Sequence, residues 1–197
     1  LNDLLKVFKK LDNDKKVKVI ILEGAGKGFS AGHNLKEVRG LKKKEKYQQL
    51  FSLCSKLMLQ IVEGRKPVIA KVHGAAFAAG CQLVASCDLA YSTKDALFAT
   101  PGVNIGLFCS TPMVAVSRKV NRKRMMKMLL TGEPIKANYA KEIGLINNHF
   151  SKVPFKLFPT LKRFNFQLII RLKNLKRALF SILYRNISSS DVSETNS

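Results

Sequence analysis

The chain reads as an α/β protein, on three observations. Short apolar runs at residues 17–22 and 68–72 are long enough for buried strands. Segments with helical apolar spacing lie between and after them, at residues 34–63 and 81–87. Glycine and proline punctuate nearly every change from one pattern to the other. Strands alternating with helices in this way predict one α/β domain.

Taken in order, residues 1–12 carry Leu4, Leu5, Val7, Phe8 and Leu11 on one helical face, with lysines outside. Asn13-Asp14 makes a turn, and residues 17–22 form a strand. Gly24, Gly26 and Gly28 make a glycine-rich loop leading into FSAGHNL. A helix is expected over 34–63, broken near Gly40. The stretch KPVIAKVHGAAFAAGCQLVASCD organises the rest: a strand over 68–72, then Gly74 and small residues up to Gly80, then a helix over 81–87. Small residues let the backbone approach a ligand closely, and the helix N-terminus leaves free N–H groups that favour negative charge.

Beyond it, strands are expected at 89–91 and 97–99, a turn at Thr100-Pro101-Gly102, and strand again over 103–106. Helices follow over 111–120, over 122–130 (capped by Asn121 and ended by Gly132), and over 137–143 before Gly144. A strand over 145–150 closes this part. After Phe150 the composition shifts: no glycine follows Gly144, and no acid occurs before Asp191. The division expected is therefore a core over 1–150, a basic amphipathic tail over 151–187 and disorder over 188–197; the tail reads as a helix lying on a membrane or a partner, as an ordinary C-terminal helix, or as a stretch translated out of frame.

The 197 residues are 46% apolar and 24% charged, an ordinary globular composition, and no stretch reaches the roughly 18 apolar residues of a membrane span. The formal charge of +22 is extreme. Most of the lysines fall on helix surfaces without interleaved aromatics, as on solvated faces. Cys54, Cys81, Cys87 and Cys109 show no CxxC spacing and lie on apolar faces, as reduced buried thiols do. His33, His73 and His149 have no ligand-spaced partners, so no metal site is expected.

Two short motifs are set aside on spacing. Gly28-Phe29-Ser30-Ala31-Gly32 matches the G-x-S-x-G elbow, but no later acid and histidine are placed to complete a triad. Gly26, Gly28 and Ala31 resemble a dinucleotide loop, yet no acid follows about 20 residues later.

The block GKGFSAGHNL, followed by PVIAKVHGAAFAAGCQLVASCD, DLAYSTKDALFATPGVNIGL and LLTGEPIKANYAKEIGLIN, resembles the crotonase (enoyl-CoA hydratase/isomerase) superfamily over residues 1–150. GHNLKE and AAGCQLVASCD make it most similar to the mitochondrial "enoyl-CoA hydratase domain-containing protein 3" subgroup. The resemblance implies a ClpP-like fold of repeated ββα units and a backbone oxyanion hole for an acyl-CoA thioester. Matched onto this chain, the hole's two N–H groups belong to His33 and Ala79. Ala31, Gly32, Asn34, Leu35, Gly74 and Gly80 are the matching CoA- or substrate-binding positions.

The family's two catalytic glutamates match Gln82 and Gly102, so both carboxylates are missing and no catalytic acid or base is assigned. Glu37, Glu63 and Asp88 are the nearest acids in sequence, each expected in a helix-surface or structural role. The resemblance also implies coenzyme A as part of the substrate rather than a tightly bound cofactor, and fatty-acid metabolism as the setting. It implies a homotrimer or hexamer, and a place in the mitochondrial matrix (in the cytoplasm for a bacterial chain). The resemblance therefore implies an enzyme of hydratase/isomerase (lyase) type with weak or absent hydratase activity, and a catalytically silent acyl-CoA binding or regulatory protein is the alternative on the same fold. RNA binding through Lys6, Lys9 and Lys10 is the remote one, and neither DNA nor a membrane span is expected. The chain opens at Leu1, and the resemblance begins inside an early helix, as expected of a copy lacking the opening strands of a full-length member.

Overall fold

The computed structural model describes residues 1–153 together with the backbone of 167–172 and 181–185. Helix α1 (Asn2–Asn13) buries Leu4, Leu5, Phe8 and Leu11, the face its apolar spacing predicts. Strand β1 (Val19–Gly24) is buried along its whole length, which suits its continuous apolar run. The expected long helix is two: α2 (Leu35–Gly40) and α3 (Lys44–Val62), parted where Lys42 takes a positive φ of 53°. Helix α3 buries Cys54, Leu57, Met58 and Ile61.

Strand β2 (Val68–Val72) leads into β3 (Ala75–Phe77) and helix α4 (Ala79–Ser86). Strands β4 (Leu89–Thr93) and β5 (Leu97–Ala99) then lead to α5 (Ser110–Val116). After α6 (Arg122–Thr131) come β6 (Ile135–Lys136), α7 (Ala137–Glu142) and β7 (Asn148–Phe150). The predicted caps of α6 are present: Asn121 accepts from the Arg124 N–H at 3.2 Å, and Gly132 sits at φ 65°.

Strands β8 (Gln167–Leu172) and β9 (Ser181–Arg185) complete a six-stranded sheet in the order β7-β4-β2-β1-β8-β9. Its pairs are parallel except β8–β9. A second sheet has the order β3-β5-β6. The chain thus passes from the large sheet to the small one and then into a helix, in β2-β3-α4 and again in β4-β5-α5. The first pass has the same form, because Ser30, beyond β1, forms a parallel bridge with Ala76 of β3. This is the repeated ββα architecture expected of the chain.

The main core lies between the large sheet and α1, α3 and α4, with Phe8, Leu11, Ile20, Leu22, Leu57 and Ile61 among its most buried members. The other face of the sheet buries Val19, Ile21 and Ile69, the alternate residues of the same strands. All four cysteines are free and buried, as their apolar settings predict.

Four expectations need correction. The strand expected over 103–106 is a 3-10 turn, Pro101–Ile105, closed by Gly106 at φ 73°. Pro101 starts such a turn with its fixed φ, and the apolar side chains of Val103 and Ile105 end up exposed. The strand over 145–150 is confined to β7, and the helix over 111–120 ends at Val116. In the tail, 167–172 and 181–185 are strands, not turns of an amphipathic helix. The run Leu168-Ile169-Ile170 favours extension, and the open edge of β1 supplies six partners in register. The rest of the tail, with the expected disorder over 188–197, lies outside the described residues.

One polar tie fixes the first helix. Asp12 accepts from the Arg65 backbone N–H at 2.6 Å and from the Arg65 side chain at 3.4 Å, joining the end of α1 to the chain entering β2. Asp12→Ala leaves that amide without its anionic partner. A loss of about 1–2 kcal/mol is expected in urea unfolding. Arg65→Ala should lose less, because its guanidinium is exposed and the amide bond stays.

Candidate functional site

Beyond β1 the chain runs alongside β3. Phe29 N–H donates to His73 O at 2.8 Å, Ser30 N–H to Ala75 O at 3.0 Å, and Phe77 N–H to Ser30 O at 2.8 Å. These bonds carry Ala31, Gly32 and His33 to the start of α4. Gly32 has φ +88°, and a side chain there would stand 3.2 Å from both the Ala79 amide nitrogen and the Ala78 Cβ. The residue bonded to His33 therefore touches the residue pair that opens α4.

Helix α4 is equally confined. A side chain on Gly80 would run into the Ser30 carbonyl oxygen, so only glycine lets the loop lie on the helix. Ala78, just before the helix, holds φ 49° without being glycine, a conformation that costs energy and persists where the surroundings enforce it. Its N–H donates to Ala99 O at 2.9 Å, which fixes that turn to β5. The first intrahelical bond runs from Gln82 N–H to Ala78 O at 3.0 Å. The amides of Ala79, Gly80 and Cys81 come before it and have no partner within the helix. The His33 and Ala79 amides, far apart in sequence, thus belong to neighbouring turns of backbone.

The other predicted positions separate into two groups. Ala31 is exposed, and Leu35 is 57% exposed. Asn34 caps α2, accepting from Lys36 N–H at 3.1 Å and donating to Glu37 Oε1 at 2.9 Å. Gly74, at φ 54°, is pressed against the Lys27 carbonyl and Gly28, so its demand is structural. The His33 ring meets Phe51 edge to face, with centroids 5.8 Å apart, and Phe51 is 42% exposed. Leu35 and Phe51 place apolar surface around this loop.

Gln82 is buried on α4; Ser86 Oγ donates to its carbonyl at 2.9 Å. Its side-chain Oε1 is buried and has no hydrogen-bond partner among the described residues. At Gly102 the space for a side chain is already filled. A Cβ would stand 2.6 Å from Leu107 O and 2.8 Å from Cys109 Sγ, and the Gly102 N–H donates to that sulfur at 3.3 Å.

The three acids weighed from sequence have other places. Asp88 accepts from Val68 N–H at 2.7 Å, Glu37 serves the α2 cap, and Glu63 ends α3. Sequence reasoning missed two groups. Cys109 Sγ lies over Gly102, a contact with no local signal. Glu23, inside the apolar run of β1, is buried and pairs with Lys71 Nζ at 2.9 Å. A lone acid in a strand that reads as wholly buried was the signal for that pair.

Burial lowers the His33 imidazole below its ordinary 6.5. The folded protein therefore carries it neutral at pH 7. Below about pH 6.5 the unfolded chain binds the proton more readily, so stability present above that pH is lost as pH falls through the lowered value. The urea midpoint should drop between about pH 7.5 and 5.5, and drop less in His33→Gln. Burial also pushes the Cys81 thiol up to about 12, with a further push from Cys109, so Cys81 is an inert core thiol.

The fold and this pair of loops define a crotonase-type protein. The family profile "Enoyl-CoA hydratase/isomerase" matches residues 1–186, and the chain belongs to that family. Among individual relatives, it is 51% identical over 131 residues to the mitochondrial enoyl-CoA hydratase domain-containing protein 3 of Rattus norvegicus, covering 66% of this chain and 44% of that one. The crystal structure of an enoyl-CoA hydratase from Mycobacterium smegmatis superimposes with a TM-score of 0.75 at 51% identity, covering 76% of this chain and 58% of that one. That of human enoyl-CoA hydratase domain-containing protein 3 gives 0.67 at 47% identity, covering 74% and 60%. The chain spans about half the length of the curated relatives it matches.

Proposed function

We propose that the chain binds acyl-CoA thioesters, with the His33 and Ala79 amides donating to the thioester oxygen, and that it does not hydrate them efficiently. The observation that carries the reading is the packing of Gly32 and Gly80, which seats the loop before His33 on the first turn of α4. An enolate formed from a thioester places negative charge on its oxygen. Two fixed amides stabilise that charge, each by roughly 3 kcal/mol in the transition state. The exposed apolar surface of Leu35 and Phe51 supports an acyl ligand beside the His33 loop.

Hydration needs groups that position water and move its proton. Gln82 forms hydrogen bonds but does not take up a proton near neutral pH, and Gly102 has no side chain. The chain therefore acts as an acyl-CoA binder on an enzyme fold, in fatty-acid metabolism, with coenzyme A entering only as part of its ligand. The mitochondrial relatives support a mitochondrial setting. Calorimetric titration with butyryl-CoA, alongside an assay of crotonyl-CoA hydration, tests both halves. Saturable binding without turnover is expected, and hydration at an ordinary hydratase rate would refute the second half.

A further inference from the structure

Helix α3 carries an apolar stripe that the fold leaves uncovered. Phe51, Leu59 and Val62 are 42%, 49% and 49% exposed. At helical spacing they fall within about 80° of the circumference and run about 16 Å along the axis. The core uses another side of the helix, that of Cys54, Leu57, Met58 and Ile61. Single exposed apolar residues are ordinary, whereas a line of them marks a contact surface. Lys44, which opens α3, stands seven positions before Phe51 and continues the same line. It belongs to a basic group: Lys36, Arg39, Lys42, Lys43, Lys44 and Lys46 fall within residues 35–46, against the acids Glu37 and Glu45. These six cations are exposed, and none is in an ion pair among the described residues. Helix α2, which carries two of them, buries no residue.

We propose that this face docks on an anionic phospholipid bilayer, with the α3 stripe entering the headgroup boundary and the basic group on the acidic headgroups. The formal charge of +22 sets one copy of the chain against another and favours an anionic partner. A nucleic acid would satisfy the lysines, but it recruits aromatic side chains for its bases and offers little to Leu59 and Val62. An acidic bilayer meets both halves of the surface. Apolar side chains of a helix lying in its plane enter the boundary with the acyl chains, and lysines beside them are held by the negative surface potential. The His33–Phe51 ring contact makes the docking face continuous with the His33 loop. The proposal stands whether or not that loop holds a thioester.

The chain has no tryptophan, so Leu59→Trp gives a single reporter on the stripe. The full chain carrying it is titrated with vesicles of phosphatidylcholine containing about 30% phosphatidylserine, and with phosphatidylcholine alone. Emission should move to shorter wavelength with the acidic vesicles and stay in place with the neutral ones. Adding Lys42→Gln, Lys43→Gln and Lys44→Gln should weaken vesicle affinity about a hundredfold. The same exchange at Lys6, Lys9 and Lys10, exposed on α1, should weaken it less than about tenfold. Vesicle binding without the emission shift, or an equal loss in the two triple variants, means diffuse charge attraction and overturns the proposal. An emission shift that grows with protein concentration before lipid is added puts a second copy on the stripe, and overturns it too. Single-stranded RNA that binds where acidic vesicles do not makes nucleic acid the partner, with the same consequence.

Discussion

Gly80→Ala should abolish acyl-CoA binding and destabilise the fold together. The added methyl would occupy the position of the Ser30 carbonyl oxygen, and neither partner is a flexible side-chain end. Ser30 is held by the bonds it makes to Ala75 and Phe77, and Gly80 by the first turn of α4. Relief therefore requires one backbone segment to move off the other, at a cost of about 3 kcal/mol. The same movement parts the His33 amide from the Ala79 amide. Urea unfolding should show the stability loss, and titration of butyryl-CoA should show binding weakened by a hundredfold or more, the scale of misplacing a positioned group by about 1 Å. A Gly40→Ala control, where a methyl meets nothing within 4 Å, should leave binding alone. An α4 that accepts alanine at position 80 with full affinity would mean the loops are not the binding element.

The second large effect is on catalysis and its attempted rescue. Acid–base groups contribute on the order of 10²–10⁴-fold, so crotonyl-CoA hydration should lie at least that far below an intact hydratase of the family. Introducing glutamate at positions 82 and 102 is not expected to supply it. Gln82→Glu fits the space but buries a carboxylate, which raises its pKa and costs stability. Gly102→Glu meets Leu107 O at 2.6 Å and Cys109 Sγ at 2.8 Å, so the 107–109 loop must open before a carboxylate can point anywhere useful. The double variant is expected to unfold at lower urea and to remain inactive, whereas Gly102→Glu with Cys109→Ala should regain part of the lost stability. Full hydratase activity in the plain double variant would show that the loop yields freely. At position 102 the packing of the 107–109 loop stands against a carboxylate, whatever side chain is introduced.

How far the sequence foretold this can be argued element by element. Strands β1 and β2 were legible because parallel strands buried on both faces need continuous apolar runs, and α1 and α6 because of their periodicity and caps. Strand β3 was not. Ala75-Ala76-Phe77 has no β-branched residue, and it is a strand because Ser30 and β5 supply its partners from elsewhere in the chain. The strand expected over 103–106 failed because Pro101 and Gly106 outweigh the β-propensity of Val103 and Ile105. At the site, the resemblance supplied His33 and Ala79, and the run of small residues marked close packing. That the packing is Gly80 on Ser30 and Gly32 on Ala79 is a long-range contact, which local pattern does not encode. Glu23–Lys71 and Cys109–Gly102 were hidden for the same reason.

The most direct measurement is of the two amides themselves. With the backbone N–H signals of His33 and Ala79 assigned in ¹⁵N-labelled protein, butyryl-CoA should shift both downfield in step, with one shared affinity. Free CoA, which lacks the thioester carbonyl, should leave both nearly in place. If the thioester binds while either signal stays still, its oxygen is held elsewhere, and the account of this site is wrong.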